Sequence, residues 1–582
     1  MLRIFKAFSL IGALLFGTFF QSEFARSADT VRVDSFNFHS GSSDYRAEGV
    51  EFEGLNLSPE GLEALIHGSD LALQTKALSS LDASIIRVSR LRQSQTIGTQ
   101  TSTTILSNVV LSDIKAGIVR VFSAEKITFG ATGGADATSS GSGSNVLLEE
   151  VDLALLAGIG ATSKSAKSAD FKRAYRLARV EKIAVQGANS TTTTINKVEI
   201  RDAQVKETGD GFAAITERLA KRGASPQPSN DTDVAATLND VIDLISSVST
   251  GYFEIDDLAV RAPETPRSFG SLSRLVYTGG TDTQTSGYRL EGLDLAMEDT
   301  HLKVGRFSHN GIKLAPLFAA LKSTLSKPKA QPSDIDPMIF LQLVGKMELN
   351  DVSVDADYSG PQHSGIGTLM IAVDSTPEGL PIASEISFDK LYGPLPAGST
   401  EPAVQTLIGL GYHDLNLSGS VKMALEPKAQ ELNLTTNLSA ENMAVVTLAG
   451  RFGNVSAENI FSNSNSAPLL LLGASLKNFA FSVENRGIGD RLIDQQAITT
   501  KRSAQQVRGD YASAAAVSLQ IYLGMSPNAK AVTRSIVRFI EKPTKFNVVG
   551  QSKNPAGVTL ADTANGDGPA AILDLFELQL GP

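Results

Sequence analysis

Three pairs of carboxylates have the spacing for acid–base or metal chemistry: Asp256–Asp257, Glu149–Glu150, and Asp355 with Asp357. Paired carboxyls can divide acid and base roles, or hold a hard cation through oxygen. Internal comparison argues against that use. The place of Asp256–Asp257 is taken in related stretches by Asp34–Ser35, Glu125–Lys126 and Lys477–Asn478. A position open to acids, bases and amides alike is a solvated bend. The six histidines (His39, His67, His301, His309, His363, His413) form no HExxH or zinc-knuckle spacing. His309 and His413 fall in structural positions of the repeats described next. No G-x-S-x-G, Walker or Rossmann loop occurs. "DTANGDG" from Asp562 resembles a calcium loop but lacks alternate-position ligands and the closing Glu. The chemistry-bearing residues therefore point to a protein that is not an enzyme, with no cofactor and no metal.

The elements that carry these residues follow a recurring octet, apolar-x-apolar-polar-polar-apolar-x-apolar. It reads VRVDSFNF at Val31, VEFEGLNL at Val50, FSAEKITF at Phe122, VLLEEVDL at Val146, ARVEKIAV at Ala178 and VEIRDAQV at Val198. It returns as FEIDDLAV at Phe253, YRLEGLDL at Tyr288, MELNDVSV at Met347, LGYHDLNL at Leu410, LSAENMAV at Leu438 and ASLKNFAF at Ala474. TILSNVVL at Thr104 fits with Thr as half-apolar. Looser copies start at Ile86, Gly270, Phe307 and Ile386. An unbroken strand sends its first and sixth residues to opposite faces. A β-bulge at the polar pair would count two residues as one, keep positions 1, 3, 6 and 8 on one face, and bend the strand. Gly, Asn and Asp at position 5 (Gly54, Gly292, Asp257, Asp351, Asn442, Asn478) suit a strained backbone.

The expected fold is mainly β with minor α. Kinked amphipathic strands form a strongly curved antiparallel sheet, as a trough, flattened barrel or sandwich. A β-solenoid with a corner at the polar pair is the alternative. The candidate apolar face, groove or core, comprises Val50, Phe52, Leu55, Leu57, Phe253, Ile255, Leu258, Val260, Tyr288, Leu290, Leu293, Leu295, Met347, Leu349, Val352 and Val354.

Helices are expected at "SPEGLEALI", "DVAATLNDVIDLISSVSTG", "APLFAALKSTL", "DPMIFLQLVG" and "TEPAVQTLIGLG", three of them leading into octets. From Ile488 an Ala- and Gln-rich stretch predicts long helices, with another from Ser526–Pro527. Strands "KFNVVG" and "LDLFELQL" follow. Residues 132–145, 223–233, 327–334 and 393–402 read as loops rich in Gly, Ser and Pro. The expected organisation is a signal peptide over 1–28, a β-rich region over 29–225, a helix–strand repeat region over 226–485, and a helical segment with terminal strands over 486–582.

The first 28 residues read as an export signal: Arg3 and Lys6, the apolar run Ala7–Phe20, then small residues ending at Ala28. Cleavage there moves the net charge from −10 to −12 by removing three basic residues and one acidic residue. An acidic chain is a poor partner for nucleic acid. With no Cys, disulfides, thiolate metal sites and cysteine nucleophiles are excluded. An exported chain without Cys fits a bacterial periplasm.

Strands such as "FEIDDLAV", "YRLEGLDL" and "ASLKNFAF", recurring over residues 30–485 ahead of a helical stretch, resemble the AsmA-like and YdgA-like envelope proteins of Gram-negative bacteria. The resemblance lies in strand texture and carries over no functional residues. It implies a curved sheet whose apolar concave face shelters acyl chains, with phospholipid or another envelope lipid as partner. Two function classes follow. One is a lipid-binding or lipid-conveying module. The other is a structural or assembly protein of the envelope, acting through contacts with envelope proteins.

Overall fold

The computed structural model describes residues 25–27, 30–40, 43–58, 60–61, 71–97, 100–132, 139–160, 170–187, 190–206, 214–215, 218–219, 231–262, 268–280, 286–311, 314–325, 344–356, 362–375, 381–456, 473–559, 562 and 569–581. The apolar run of the export signal, the "DPMIFLQLVG" helix and most of "SPEGLEALI" lie outside them. The chain divides into two compact units. The first comprises residues 1–298 with 314–334, the second 299–313 with 335–582. The division falls inside the stretch read as a single helix–strand repeat region.

The first unit carries β1 Ala25–Ser27, β2 Thr30–Ser40, β3 Ser43–Glu53, β4 Ala83–Ile97, β5 Gln100–Lys115, β6 Ile118–Thr132, β7 Ser139–Asp152, β8 Lys172–Gln186, β9 Thr192–Val205, β10 Val248–Arg261, β11 Phe269–Thr278 and β12 Gly287–Met297. Each pairs antiparallel with its neighbours in sequence. Its helices are α1 Leu71–Ser79, α2 Leu153–Gly160, α3 Asp231–Ser246 and α4 Leu314–Leu325. The second unit carries β13 Thr300–Asn310, β14 Lys346–Ala356, β15 Gln362–Ser375, β16 Pro381–Pro394, β17 Asp414–Glu426, β18 Glu431–Ala440, β19 Ala444–Gly453, β20 Ser475–Asn485, β21 Lys545–Ser552, β22 Val558–Thr559 and β23 Phe576–Gly581. These too run antiparallel, neighbour to neighbour as far as β21, which then pairs with β23. Its helices are α5 Pro402–Gly409, α6 Ile488–Thr500, α7 Ala504–Leu523, α8 Pro527–Glu541 and α9 Pro569–Asp574. Antiparallel pairing sets the solenoid aside, because stacked solenoid rungs pair in parallel. The sheet is not closed, so a barrel is also set aside.

Octet position 5 has left-handed backbone at Gly54, Asn108, Glu150, Lys182, Asp202, Asp257, Gly292, Asp351 and Asn442, with φ between 49° and 64°. At Asp257 the register passes one for one, Asp256 opposite Arg274 and Leu258 opposite Leu272. This corrects the expectation of an inserted residue there. Two-against-one bulges do occur at the polar pairs of two other octets, Asp389–Lys390 opposite Ser418 and Lys477 between the partners of Arg451 and Phe452.

On β3, β5 and β7 of the first unit the break recurs every five residues. Strand β5 buries Thr104, Leu106, Val109, Leu111 and Ile114, and exposes left-handed Asn108 and Asp113. Gly49 and Gly54 on β3, and Asn145 and Glu150 on β7, repeat that interval. From β3 to β7 the left-handed residues therefore sit on alternate strands, in two rows, and β8, β9 and β10 carry one each at Lys182, Asp202 and Asp257. Ser89 of β4 lies between Gly49 and Asn108, and Arg120 of β6 lies between Asp113 and Glu150. Side chains of the neighbouring strands hold the rows. Asn108 donates to Glu125 at 2.5 Å, Asn145 donates to Glu181 at 2.9 Å, and Arg120 pairs with Asp113 at 2.8 Å.

The inward side chains of β2–β10 form one continuous buried cluster. Leu78 and Leu81, at and just beyond the end of α1, seal its margin, and α1 packs against α2. The β5–β6 turn, Ala116–Gly117, has φ of 47° and 75°, the signs of a type I′ hairpin. A Cβ on Gly117 would meet the Leu78 carbonyl oxygen at 2.2 Å, so only glycine lets this turn close on the helix.

Residues 132–145 are a loop only in part, because β7 begins at Ser139. The Gly/Ser run is strand for a packing reason. Phe129 of β6 lies across Gly141, where a Cβ would come within 2.5 Å of its ring.

Candidate functional site: an apolar sheet face

The sixteen residues of the expected apolar face fall into two environments. Val50, Phe52 and Ile255 are buried in the core of the first unit, and Leu55, Leu57, Phe253 and Leu258 pack against it. Val260, Tyr288, Leu290, Leu293 and Leu295 are half-buried. In the second unit Met347, Leu349, Val352 and Val354 are half-buried as well.

The register extends these four residues into rows that the octets did not predict. Met347 lies opposite Ile371, Ile371 opposite Ile386, Ile386 opposite Val421. Through Thr436 the row continues to Leu448, Phe481 and Val548. A second row runs Leu349, Leu369, Phe388, Gly419, Leu438, Val446, Val483 and Phe546. Directly opposed residues share a face, so one apolar surface crosses β14–β21. Alternate positions carry Glu385, Ser387, Ser420, Lys422, Asn437, Thr447 and Ser482, a polar opposite face.

Cover over this surface is uneven. At β20–β21 it is covered: the rings of Phe481 and Phe546 meet at 6.2 Å, and Phe539 of α8 lies 6.3 Å from Phe546. Over β16–β19 it is open. Ile386 is 49% exposed and Leu438 and Leu448 are each 45% exposed. Strands lie about 4.8 Å apart, so the seven strands β14–β20 span about 29 Å. That is roughly two leaflets' worth of acyl chain, given a hydrocarbon core about 30 Å thick. No titratable side chain lies in the two rows.

The polar clusters lie elsewhere. On the opposite face of the first unit Glu254 is 3% exposed, facing the equally enclosed Glu199 across β9–β10. Lys197 bridges Glu254 at 2.9 Å and Asp256 at 2.8 Å. Arg274 pairs with Glu254, and Arg201 pairs with Glu199 at 2.5 Å and stacks over Tyr252. Burial alone would push the Glu254 carboxyl up, but hydrogen bonds and charge from Lys197 and Arg274 outweigh it and hold the group at about 2. Asp256 is thus an ion-pair partner, more than a solvated bend, while Asp257 is the left-handed residue. Glu149 and Glu150 both pair with Arg176. Asp355 accepts from His363 Nδ1 at 2.6 Å, and His363 Nε2 meets the Tyr392 hydroxyl at 3.1 Å, all on an exposed strand end. That hydrogen bond is the main cause holding Asp355 below its ordinary range. Asp357 lies outside the described residues.

Buried His309 contacts the Val344 carbonyl oxygen at 2.7 Å. Asp562 accepts from the Thr559 backbone and hydroxyl at 2.8 and 2.7 Å, which lowers its pKa, and the rest of "DTANGDG" lies outside the described residues. Among the described residues no group of three or more His, Asp or Glu is placed to hold a metal ion, and no helix is long and apolar enough to cross a membrane.

No curated protein matches the chain. Residues 437–581, from late β18 through β23 with helices α6–α9 between, match a family described only as an uncharacterized protein.

Proposed function

We propose that this is a non-enzymatic, exported envelope protein that binds or conveys lipid, with acyl chains lying on the apolar face of β14–β19. The observation that carries the reading is the contrast in cover. The same strand pattern that packs a filled core in the first unit leaves Ile386, Leu438 and Leu448 close to half exposed in the second. A contiguous exposed apolar face is rare unless something occupies it. Each methylene laid on it would gain up to about 0.8 kcal/mol, so a single chain supplies enough for binding without any polar contact. In this reading the left-handed rows bend the strands toward the apolar side and make it concave, as bulges and left-handed residues do in curved sheets.

The test is direct. Protein purified from its native host is extracted and analysed by mass spectrometry for co-purifying phospholipid. Binding of a fluorescent phospholipid is then compared between the parent chain and Leu448→Glu with Ile386→Glu. The reading expects bound lipid and at least a tenfold loss in the double variant, since two charges would be desolvated. Lipid-free protein of native fold that also fails to take up the probe would sink it. Co-purification of an envelope protein released by the same substitutions would favour the assembly role.

A further inference from the structure

We infer that the tip of the α7–α8 helical hairpin docks onto a bilayer surface bearing anionic headgroups. Two independent observations meet there. The first is apolar. The end of α7 and the turn after it expose Val517, Ile521, Tyr522 and Met525 at 61%, 80%, 70% and 62%, far above the half-cover of the sheet face. The outward residues Val517 and Ile521 are four apart on α7 and so form one stripe at its C-terminal end, whereas the buried Val507 and Ala512 lie toward its start. The second is charge. Lys530, Arg534 and Arg538 recur every four residues along α8 and are exposed, while Ala529, Val532 and Thr533 of the same helix are buried. Their charged ends have no ion-pair partner among the described residues. From Tyr511 to Ile540 the chain carries these three cations and no acid, within a protein of net charge −10.

An apolar tip containing Tyr, followed by an unneutralised basic row, matches the chemistry of a bilayer interface. Aliphatic groups and a Tyr ring enter the headgroup boundary, and cations meet lipid phosphates. A protein partner or a second copy would satisfy the apolar tip but gives no reason for the uncompensated cations on an acidic chain. Pro527 in the first turn of α8 and Ser526, whose hydroxyl accepts from the Ala529 N–H at 3.2 Å, fix the turn and so the angle between the two features. The inference does not depend on the sheet face carrying lipid.

The full chain is sedimented with vesicles containing about 30% phosphatidylglycerol, and in parallel with vesicles of phosphatidylcholine alone. The expected result is partition at least tenfold stronger onto the anionic vesicles. A tenfold or greater loss is expected in Ile521→Ser with Tyr522→Ser, and separately in Lys530→Glu with Arg534→Glu, with circular dichroism unchanged. Equal behaviour of variants and parent, or no vesicle binding, overturns the inference. So does a concentration-dependent dimer in sedimentation velocity that dissolves in Ile521→Ser without vesicle binding, because a second copy is then the occupant. Protein freed of lipid that still docks supports this inference even if the sheet-face reading fails.

Discussion

A left-handed backbone inside a strand costs a side chain other than Gly, Asn or Asp about 1–2 kcal/mol. Most of the left-handed positions avoid that cost, but Lys182, Glu150 and Lys390 do not, at φ of 49°, 51° and 53°. Lys182→Gly therefore raises stability by about 0.5–1 kcal/mol, the relief being set against the greater freedom of an unfolded glycine. Asp257→Val lowers it by about 1–2 kcal/mol, because a β-branched residue tolerates that backbone least. Urea midpoints of the two variants read both effects, and a shift of the same sign in both would contradict the account. Glu254 makes a second prediction. Its folded pKa of about 2 lies below the unfolded carboxylate value. Its contribution is complete above about pH 4.5 and is lost as pH falls toward 2. Melting temperature measured across pH 5 to 2 therefore falls less steeply in Glu254→Gln than in the parent. At pH 7 the variant is less stable by about 3 kcal/mol, since Lys197 and Arg274 are left facing a neutral group. This enclosed acid was invisible in the sequence. Its cations stand 57 residues before it and 20 after it, and only the register of β9, β10 and β11 brings them together. The acid pair at Asp256–Asp257 drew notice by adjacency, yet its two members do different things.

Elements with their own periodicity and caps could be read directly. The helix expected at "DVAATLNDVIDLISSVSTG" is α3, the one at "TEPAVQTLIGLG" is α5 with Pro in its first turn, and the Ala/Gln-rich stretch is α6 and α7, joined by a Ser503–Gln506 capping box. Octets found one break per strand. The second break of β7 was hidden because Gly141 and Gly143 stand where the octet takes apolar residues, while those of β3 and β5 lie in YRAEGVEF and VVLSDIKA, which overlap the octets at Val50 and Thr104. The open face was likewise only partly legible, since Gly419 and Thr436 interrupt the octet pattern while keeping their places in the rows. One contact between elements invites a test. Arg491 of α6 stacks over Tyr412 at 4.1 Å and donates to the carbonyl oxygens of Leu410 and Gly411, and the Tyr412 hydroxyl donates to that of Asn442 at 2.8 Å. These contacts join α6 to the α5–β17 connection over the buried cluster of Leu395, Leu410, Tyr412 and Met443. Arg491→Ala should cost about 1–3 kcal/mol. Hydrogen exchange should locate the loss at α5 and α6 and leave the first unit unchanged. A loss spread evenly over the chain would argue against a local clasp.

At the scale of the molecule, the two units use one strand grammar to different ends. In the first, outward polar pairs and inward aliphatics give a filled interior, and its charged residues neutralise one another on the opposite face. In the second, the aliphatics of β16–β19 are left open and the helices gather over β20–β23, a segment that lies within the matched residues 437–581. Pairing between sequence neighbours has a further consequence. Removing a single strand would force a parallel contact, but removing or adding a hairpin leaves both flanking strands antiparallel and every inward residue still inward. Such a ladder changes length in steps of two strands, and each step adds or subtracts about 10 Å of apolar width. The capacity of the face is then set by a count of hairpins, with no change required in the residues that remain.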